Sequence, residues 1–422
     1  MHQVLEKIAE KTSRQPVLLA LRDGFAACTP LLIVTSLLII IRDFPVPGYA
    51  ELMAQIFSQN WQDFFTPLIQ ATYGVIALLA AFGVGYAYSR EKKIDPFTGA
   101  TLAVVVFLLM SQQVHPDYTN QAGEAFIGFS ISQLNSNSLF MAMLCGLSSV
   151  ELLSYTTKKR WQLTLKPGIP PGVAHSVTDL IPSGICLVSF LVLRQLLAVT
   201  PYHDLAEISH NLLQAPLLAL GRTALFEPIY QFLSSLFWFF GITGPAITDT
   251  IFGPIHLAQT VENLTAYQAG QPLPNIYTGA FSAYFGNFGG GGSTLALVIV
   301  LFTSAKSQRL KQVAKISLLP GIFGINEMVI FGVPIVLNPL IMIPFVMVPV
   351  MNVTLAASAM KLGLVPYTIG VSIPWTTPIF FSGWLATASI KGGLCQIVQL
   401  ALGCLVYYPF VKALDRQYLK EE

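Results

Sequence analysis

The stretch GIFGINEMVIFGVPIVLNP, residues 321–339, places one carboxylate, Glu327, in the middle of a long apolar run. No Lys or Arg lies between Lys315 and Lys361, so the sequence offers no local counter-charge. A charged side chain within hydrocarbon costs roughly 2.5 kcal/mol or more. Such a residue is kept where a cavity or a partner compensates it, so Glu327 is a candidate functional residue. The alternative is a structural acid that bonds backbone amides freed by the nearby glycines and prolines.

The composition of the whole chain is that of a polytopic membrane protein. Of its 422 residues, 54% are hydrophobic and 10% are charged, whereas soluble globular chains carry about 25% charged residues. The formal net charge of +2 gives no basic footprint for nucleic acid. A GxxxxGKS/T loop for ATP is absent, and the Cys and His residues show no metal-ligand spacing. We therefore expect no metal and no cofactor.

Five apolar segments of the first half predict membrane spans: Gly24–Ile41, Phe65–Tyr88, Thr98–Met110, Ser138–Tyr155 and Ser176–Val199. The third is short, because a span needs about 20 residues. Lys and Arg cluster before the first segment and after the second and fourth, while loops 44–64 and 113–133 contain none. By the positive-inside rule, this pattern places the N-terminus in the cytoplasm.

The second half has apolar segments that glycine and proline interrupt, at 241–256, 286–297 and 373–384. A basic loop, 306–315, and the basic tail predict two further cytoplasmic regions. The number of crossings after residue 201 is therefore odd, and we expect five, for ten in total. Broken apolar segments point to a transporter binding site, since irregular backbone at membrane depth survives only inside protein or beside a water-filled cavity.

The polar residues of these segments have open alternatives. Asn326 and Glu327 suit sugar hydroxyls, because together they offer a donor and strong acceptors. His256 either binds a ligand or satisfies a local carbonyl group. Trp375 either stacks on a pyranose ring or anchors at the membrane interface. The Gly289–Gly292 run, which opens an apolar helix, either exposes amides to hydroxyls or an anion, or lets helices pack closely.

Several motifs resemble one family. They are ALRDGFAACTPLLIVTSLLIII (20–41), SVELLSYTTKKRWQLTLKPGIPPGVAHSVTDLIPS (149–183), GGGGSTLALVI (289–299), NEMVIFGVPIVLNP (326–339) and IPWTTPIFFSGWLAT (373–387). In this order they resemble the IIC membrane components of the bacterial phosphoenolpyruvate-dependent sugar phosphotransferase system, of the lactose, cellobiose and diacetylchitobiose type. The resemblance covers the chain from about Arg22 to Leu400.

The resemblance implies an all-α polytopic membrane protein, a homodimer with about ten transmembrane helices and two re-entrant hairpins in the C-terminal half. Residues 1–200 would form the dimerisation half and residues 201–422 the substrate-binding half. It places Glu327 and Trp375 at the sugar. Two positions depart from the family pattern: Thr243, in Gly241-Ile-Thr-Gly244, stands where the family has His, and Met328 replaces Pro. The candidate substrate-binding residues are Glu327, Asn326, Thr243, Gly244, His256, Asn287, Trp375 and Thr377.

The resemblance further implies a permease of the bacterial inner membrane with both termini cytoplasmic. It would carry a β-linked disaccharide, such as cellobiose, diacetylchitobiose or lactose, and present it to a phosphorylated IIB protein. We expect IIB and IIA to be separate proteins, with phosphoryl transfer on IIB. Glu327 is then either a general base on the sugar hydroxyl or an orienting group, the role we favour. The rival hypotheses are an ion-coupled sugar symporter with Glu327 as its proton carrier, and a membrane-embedded enzyme or assembly scaffold.

Overall fold

The computed structural model describes residues 15–119, 125–161, 177–239, 243–333, 335 and 338–421. Helices dominate this part of the chain. Those before residue 200 are α1 (Pro16–Arg42), α2 (Tyr49–Ile56), α3 (Thr66–Thr72), α4 (Ile76–Lys92), α5 (Pro96–Met110), α6 (Ile131–Leu134), α7 (Leu139–Lys158) and α8 (Leu180–Ala198). A short antiparallel hairpin, β1 (Val114–Thr119) and β2 (Ala125–Ile127), pairs Val114 with Ile127.

The helices after residue 200 include several that are short or interrupted. They are α9 (Leu205–Ser209), α10 (Ala215–Gly221), α11 (Phe226–Phe239), α12 (Gly244–Gln268), α13 (Gly279–Phe285), α14 (Thr294–Ser304), α15 (Gln308–Ile322), α16 (Glu327–Gly332), α17 (Pro339–Lys361), α18 (Phe381–Thr387) and α19 (Ile390–Glu421). Residues 362–380 contain no helix. The broken character predicted for 373–384 is therefore confirmed, with helix beginning again only at Phe381. For the segment 241–256 the prediction is wrong from Gly244 on, because α12 runs through Gly253 and Pro254 without a break, and residues 241 and 242 lie outside the described residues.

Six helical segments within the described residues are long and apolar enough to cross a membrane. They are Pro16–Arg42, Trp61–Lys92, Ser136–Lys158, Leu180–Ala198, Leu340–Lys361 and Ile390–Lys420, and the apolar helices Pro96–Met110 and Gly291–Ser304 are shorter. The described residues of all five apolar segments of the first half thus lie largely in helix, while Ser176, the predicted start of the fifth, lies outside the described residues. The helical membrane fold is confirmed at this level, and the hairpin β1–β2 is an addition in the loop after α5.

The short helix α5 shows how local sequence sets a boundary. Asp95 is its N-cap, and the carboxylate accepts a hydrogen bond from the backbone N–H of Thr98 at 2.7 Å. Pro96 follows at the first helical position, where its missing N–H costs nothing. The helix has 15 residues, which is about 22 Å at 1.5 Å per residue. The expectation that this segment is short for a span is confirmed.

The described residues divide into two compact units. The first unit is formed by the described residues of Thr12–Leu32 and Thr66–Leu218, and the second unit by those of Ile33–Phe65 and Ala219–Glu422. A core of buried side chains from α4, α5, α7 and α8, with Phe107 and Cys145 fully buried, stabilises the first unit. The second unit has a larger core, built mainly by α14, α15, α17 and α19 around Phe345 and Tyr407. The assignment of dimerisation to residues 1–200 and of substrate binding to residues 201–422 stays a prediction.

Candidate functional site

The glycine run between α13 and α14 forms a tight loop rather than a helix start open to a ligand. Gly289, Gly290 and Gly292 have φ of 74°, 93° and 75°, the left-handed region that glycine adopts without strain. The Ser293 hydroxyl oxygen accepts a hydrogen bond from the backbone N–H of Phe288 at 3.0 Å. The loop is therefore closed by its own hydrogen bonds before α14 begins.

Close packing accounts for the lack of side chains in this loop. A Cβ atom on Gly292 would lie 2.2 Å from the ring of Phe345, and one on Gly291 would lie 2.8 Å from the ring of Trp238. On Gly290 it would lie 2.5 Å from the Asn326 side chain. Of the two interpretations of the Gly289–Gly292 run, this geometry favours packing through small residues.

A cleft in the second unit lies beside this loop. Its empty space, with the open mouth included, is about 330 Å³. The lining combines apolar side chains with a few polar ones, the usual make-up of a small-molecule site. It consists of Ala283, Tyr284, Asn287, Phe288, Gly289, Leu295, Ile322, Gly324, Trp375, Thr377, Ile379 and Ser382. We call it the 284/375 cleft.

Three of the candidate substrate-binding residues meet in the 284/375 cleft: Asn287, Trp375 and Thr377. Trp375 is 64% exposed, and a Cβ atom on Gly324 would lie 3.3 Å from its six-membered ring. The Thr377 hydroxyl donates a hydrogen bond to the carbonyl of Pro374 at 2.7 Å, so its oxygen remains available as an acceptor. An exposed indole beside amide and hydroxyl groups can bind a sugar ring and its hydroxyls.

Asn326 and Glu327 occupy different environments although they are neighbours. Asn326 is buried, and its side-chain amide donates a hydrogen bond to the carbonyl of Gly291 at 3.1 Å. Glu327, the first residue of α16, is exposed. Within the described residues its carboxylate has neither a hydrogen-bond partner nor an ion-pair partner, and it is not among the residues that line the cleft. Asn326 therefore holds the glycine loop, whereas Glu327 stays available to a ligand.

Thr243, Gly244 and His256 do not line the 284/375 cleft. Thr243 is the exposed N-cap of α12, and Gly244 packs so closely on α11 that a Cβ atom would lie 2.1 Å from the carbonyl oxygen of Ser234. His256 is 13 positions further along α12, about 20 Å at 1.5 Å per residue. His256 therefore lies far along α12 from position 243, where the family pattern has a histidine.

The partner of His256 is a buried acid that the sequence analysis missed. His256 Nε2 lies 2.9 Å from the Glu227 carboxylate, and both side chains are almost fully buried. The Ser282 hydroxyl donates to Glu227 at 2.6 Å, and the Gln231 amide donates to the same oxygen at 2.8 Å. His256 therefore pairs with a carboxylate rather than with a backbone carbonyl. Glu227 carried the same signal as Glu327, an acid among apolar residues, in the run FEPIYQF (226–232).

Of two buried glutamines of α19, Gln396 holds the walls of the 284/375 cleft from behind, whereas Gln399 bonds residues that do not line the cleft. The Gln396 amide oxygen accepts hydrogen bonds from the backbone N–H groups of Phe380 and Gly383, at 2.8 and 2.9 Å. Its amide nitrogen donates to the carbonyl of Tyr284 at 2.6 Å. Gln399 donates to the carbonyls of Phe285 and Asn352 at 3.1 and 2.7 Å. Both side chains are fully buried, so the irregular segment before α18 is anchored by specific hydrogen bonds.

The comparisons with known proteins agree with this architecture. Residues 22–349 match the family model of the phosphotransferase system, EIIC. The chain belongs to this EIIC family. The fold is similar to the solved structure of the transporter ChbC, the IIC component of the N,N'-diacetylchitobiose-specific phosphotransferase system, with a TM-score of 0.95 and 36% identity. The alignment covers 99% of this EIIC chain and 98% of ChbC.

Curated relatives extend the match over the full length of this EIIC chain. It is 37% identical to the cellobiose-specific EIIC component of Geobacillus stearothermophilus, covering 98% of this chain and 93% of the relative. It is 35% identical to the lichenan permease IIC component of Bacillus subtilis (strain 168), covering 100% and 95%. The family assignment supports the phosphotransferase hypothesis and gives no support to the ion-coupled symporter.

Proposed function

We propose that this EIIC permease carries a β-linked disaccharide of the cellobiose or diacetylchitobiose class and presents it to a phosphorylated IIB protein. The observation that carries the proposal is the convergence of Trp375, Asn287 and Thr377 in one cleft. The solved relative is specific for diacetylchitobiose and a curated relative for cellobiose, both of which the chain matches over nearly its whole length. Together they favour a sugar built from β-linked pyranose rings.

In the proposed complex, the indole of Trp375 covers the apolar face of one pyranose ring. Asn287 and Thr377 supply acceptors for its hydroxyls, because the Thr377 hydroxyl proton is already donated to Pro374. The indole then stabilises the complex by burying apolar surface of the sugar, and the polar groups fix the orientation of the sugar through hydrogen bonds.

Glu327 is proposed to orient the sugar rather than to act as its general base. Its carboxylate is exposed and has no hydrogen-bond partner among the described residues, so it can accept hydrogen bonds from two hydroxyls. The residue lies outside the present lining of the cleft. Contact with the same sugar therefore requires α16 or the sugar to move between states of the transport cycle, as alternating access demands.

The finer features of the fold are proposed on the same basis. We propose ten transmembrane helices, two re-entrant hairpins in the C-terminal half, a homodimer and both termini in the cytoplasm of a bacterial cell. The distribution of Lys and Arg supports the orientation. The likeness to ChbC supports the helix arrangement. IIB and IIA are proposed to be separate proteins that meet this EIIC at the cytoplasmic face.

Equilibrium binding to the purified protein tests the substrate class. Cellobiose and diacetylchitobiose should bind with clearly higher affinity than maltose, whose α-linkage bends the second ring away from the plane of the first. Titration calorimetry in detergent gives the three affinities directly. Equal affinities for the α-linked and β-linked disaccharides, or no binding of either, would contradict the proposed substrate.

A further inference from the structure

A chain of hydrogen bonds leads from the buried pair Glu227–His256 to the 284/375 cleft. The Gln231 amide nitrogen donates to Glu227 at 2.8 Å, and the Gln231 amide oxygen accepts from the Asn287 amide nitrogen at 2.7 Å. Glu227 and Gln231 are fully buried, while Asn287 lines the cleft. The residue at the cleft is thus connected, through one glutamine, to a buried carboxyl group in the interior.

The chemistry of the partners fixes which way the Gln231 amide points. A carboxylate and a backbone carbonyl accept hydrogen bonds and donate none. The Gln231 nitrogen lies 2.8 Å from the Glu227 carboxylate and 3.3 Å from the backbone carbonyl of Ser282. Turning the amide over would set its oxygen against both acceptors. The NH₂ group of Gln231 must therefore face Glu227, and its oxygen must face Asn287.

The same logic then fixes Asn287. Because the Gln231 oxygen can only accept, Asn287 must direct its NH₂ group toward Gln231. Its own carbonyl oxygen, Oδ1, is left over. Within the described part of the chain, this oxygen is buried and has no hydrogen-bond partner. A buried acceptor without a donor costs about 1–3 kcal/mol, so a donor that reached Oδ1 from the cleft would remove this cost.

We infer that Glu227 and Gln231 are positioning residues that hold Asn287 with its carbonyl oxygen toward the substrate, so that this EIIC requires a hydrogen-bond donor, a free hydroxyl, at that point of the sugar. The inference rests on the proposed function, since it assumes that a sugar occupies the 284/375 cleft. It predicts a selectivity that the cleft shape alone would not give. A sugar with a group that donates no hydrogen bond there, such as fluorine or an ether oxygen, should bind more weakly.

We call the hydrogen-bonded chain Glu227–Gln231–Asn287 the relay. The surroundings of Glu227 keep the Gln231 amide of this relay in the orientation described above. The Ser282 hydroxyl donates to Glu227 at 2.6 Å, and His256 supplies its Nε2–H, the tautomer that a carboxylate partner selects. The rings of Phe226 and Tyr230 pack edge-on against the imidazole, with centroids at 5.3 and 5.1 Å, and fix its plane. Each of these groups preserves Glu227 as an acceptor for Gln231.

The test uses cellobiose and its singly deoxyfluorinated analogues, in which one hydroxyl at a time is replaced by fluorine. Fluorine is close in size to a hydroxyl group but donates no hydrogen bond. For the purified wild-type protein, one analogue should lose roughly 2- to 12-fold in affinity through loss of the bond to Asn287, the range of a single neutral hydrogen bond. In the Asn287→Ala variant, that analogue and cellobiose should differ by less than twofold.

The variants Gln231→Met and Glu227→Gln test the relay itself. Gln231→Met removes the acceptor that holds the Asn287 NH₂ group, so Asn287 can turn and donate to fluorine, and the penalty should shrink to below twofold. Glu227→Gln should shrink it in the same direction, since the carboxylate, which can only accept, becomes an amide that can also present a donor to Gln231. Gln399→Met is the matched control, another fully buried glutamine near the cleft that does not contact Asn287. Gln399→Met should leave the ratio of the affinity for cellobiose to the affinity for the fluorinated analogue unchanged.

The outcomes separate the relay from the proposed function. The inference alone is overturned if wild-type protein binds cellobiose but no fluorinated analogue shows a loss of affinity that disappears in Asn287→Ala. This outcome does not depend on whether the variants at positions 227 and 231 fold. The inference is also overturned if Gln231→Met and Glu227→Gln keep the wild-type ratio of the affinity for cellobiose to the affinity for the fluorinated analogue. Wild-type protein that binds no β-linked disaccharide overturns the proposed function and the inference with it.

Discussion

Replacing Gln396 by leucine should weaken sugar binding, because it removes the hydrogen bonds that anchor the wall of the 284/375 cleft. Leucine has a similar volume but makes none of the hydrogen bonds of the amide. Three backbone groups lose this partner: the partly buried N–H group of Phe380, and the buried N–H group of Gly383 and carbonyl of Tyr284. Phe380 has φ of 74°, a strained value for a non-glycine residue. The segment that carries Trp375 and Thr377 is then expected to relax to another conformation.

The magnitude follows from the two buried groups. Each buried backbone group left without a partner costs about 1–3 kcal/mol, so the low end of the range is about 2 kcal/mol in total. A tenfold loss of affinity needs only about 1.4 kcal/mol of this to act on the binding equilibrium. We therefore expect cellobiose affinity to fall at least tenfold and the melting temperature to fall as well.

The control for this prediction is Gln399→Leu, one helical turn along α19. It removes two donated hydrogen bonds, to Phe285 and Asn352, but does not contact the segment before α18. Titration calorimetry with cellobiose and thermal unfolding in detergent are measured for both variants. Gln399→Leu should lower the melting temperature and weaken binding less than Gln396→Leu. An equal loss of affinity in both, or wild-type affinity in Gln396→Leu, would refute the argument from specific anchoring.

The remaining predictions concern three candidate sugar contacts. Glu327→Gln should weaken cellobiose binding by about 10- to 150-fold, the loss of roughly 1.5–3 kcal/mol of charge-assisted hydrogen bonding; unchanged affinity by calorimetry would assign Glu327 a structural role. Trp375→Phe should retain part of the affinity and Trp375→Ala should lose much more, because a smaller aromatic face remains in the first; equal affinities with shifted melting temperatures would remove Trp375 from the site. Thr243→His should change the order in which labelled disaccharides are taken up, and an identical uptake profile would mean that position 243 does not contact the sugar.

The long apolar helices could be predicted from the sequence for a physical reason. Apolar runs such as Gly24–Ile41 must satisfy their backbone groups internally, and a helix does so locally. The same reasoning predicts irregular backbone around Trp375, where Pro374 and Pro378 interrupt the apolar run, and residues 362–380 contain no helix. The short hairpin β1–β2 lies in a loop that carries no comparable signal.

The candidate site was harder to predict, because its polar side chains act through partners far away in sequence. Asn287, Trp375 and Thr377 meet in the 284/375 cleft, whereas His256 and Thr243 lie elsewhere. Gln396 bonds Tyr284 across 112 positions, and Glu227 bonds His256 across 29. No local pattern predicts such pairs. A buried glutamine on an apolar helix, like an acid in an apolar run, indicates only that some partner exists.

We propose that this EIIC presents the sugar to phosphorylated IIB, and the most direct test is the chemical form of the sugar that enters. Membrane vesicles that contain this EIIC are supplied with labelled cellobiose outside and with IIB, IIA, the general phosphotransferase proteins and phosphoenolpyruvate inside. Labelled product in the lumen should be phosphorylated disaccharide, and omission of IIB should abolish its accumulation. Accumulation of free labelled cellobiose against its gradient without IIB, driven by an ion gradient, would contradict the account.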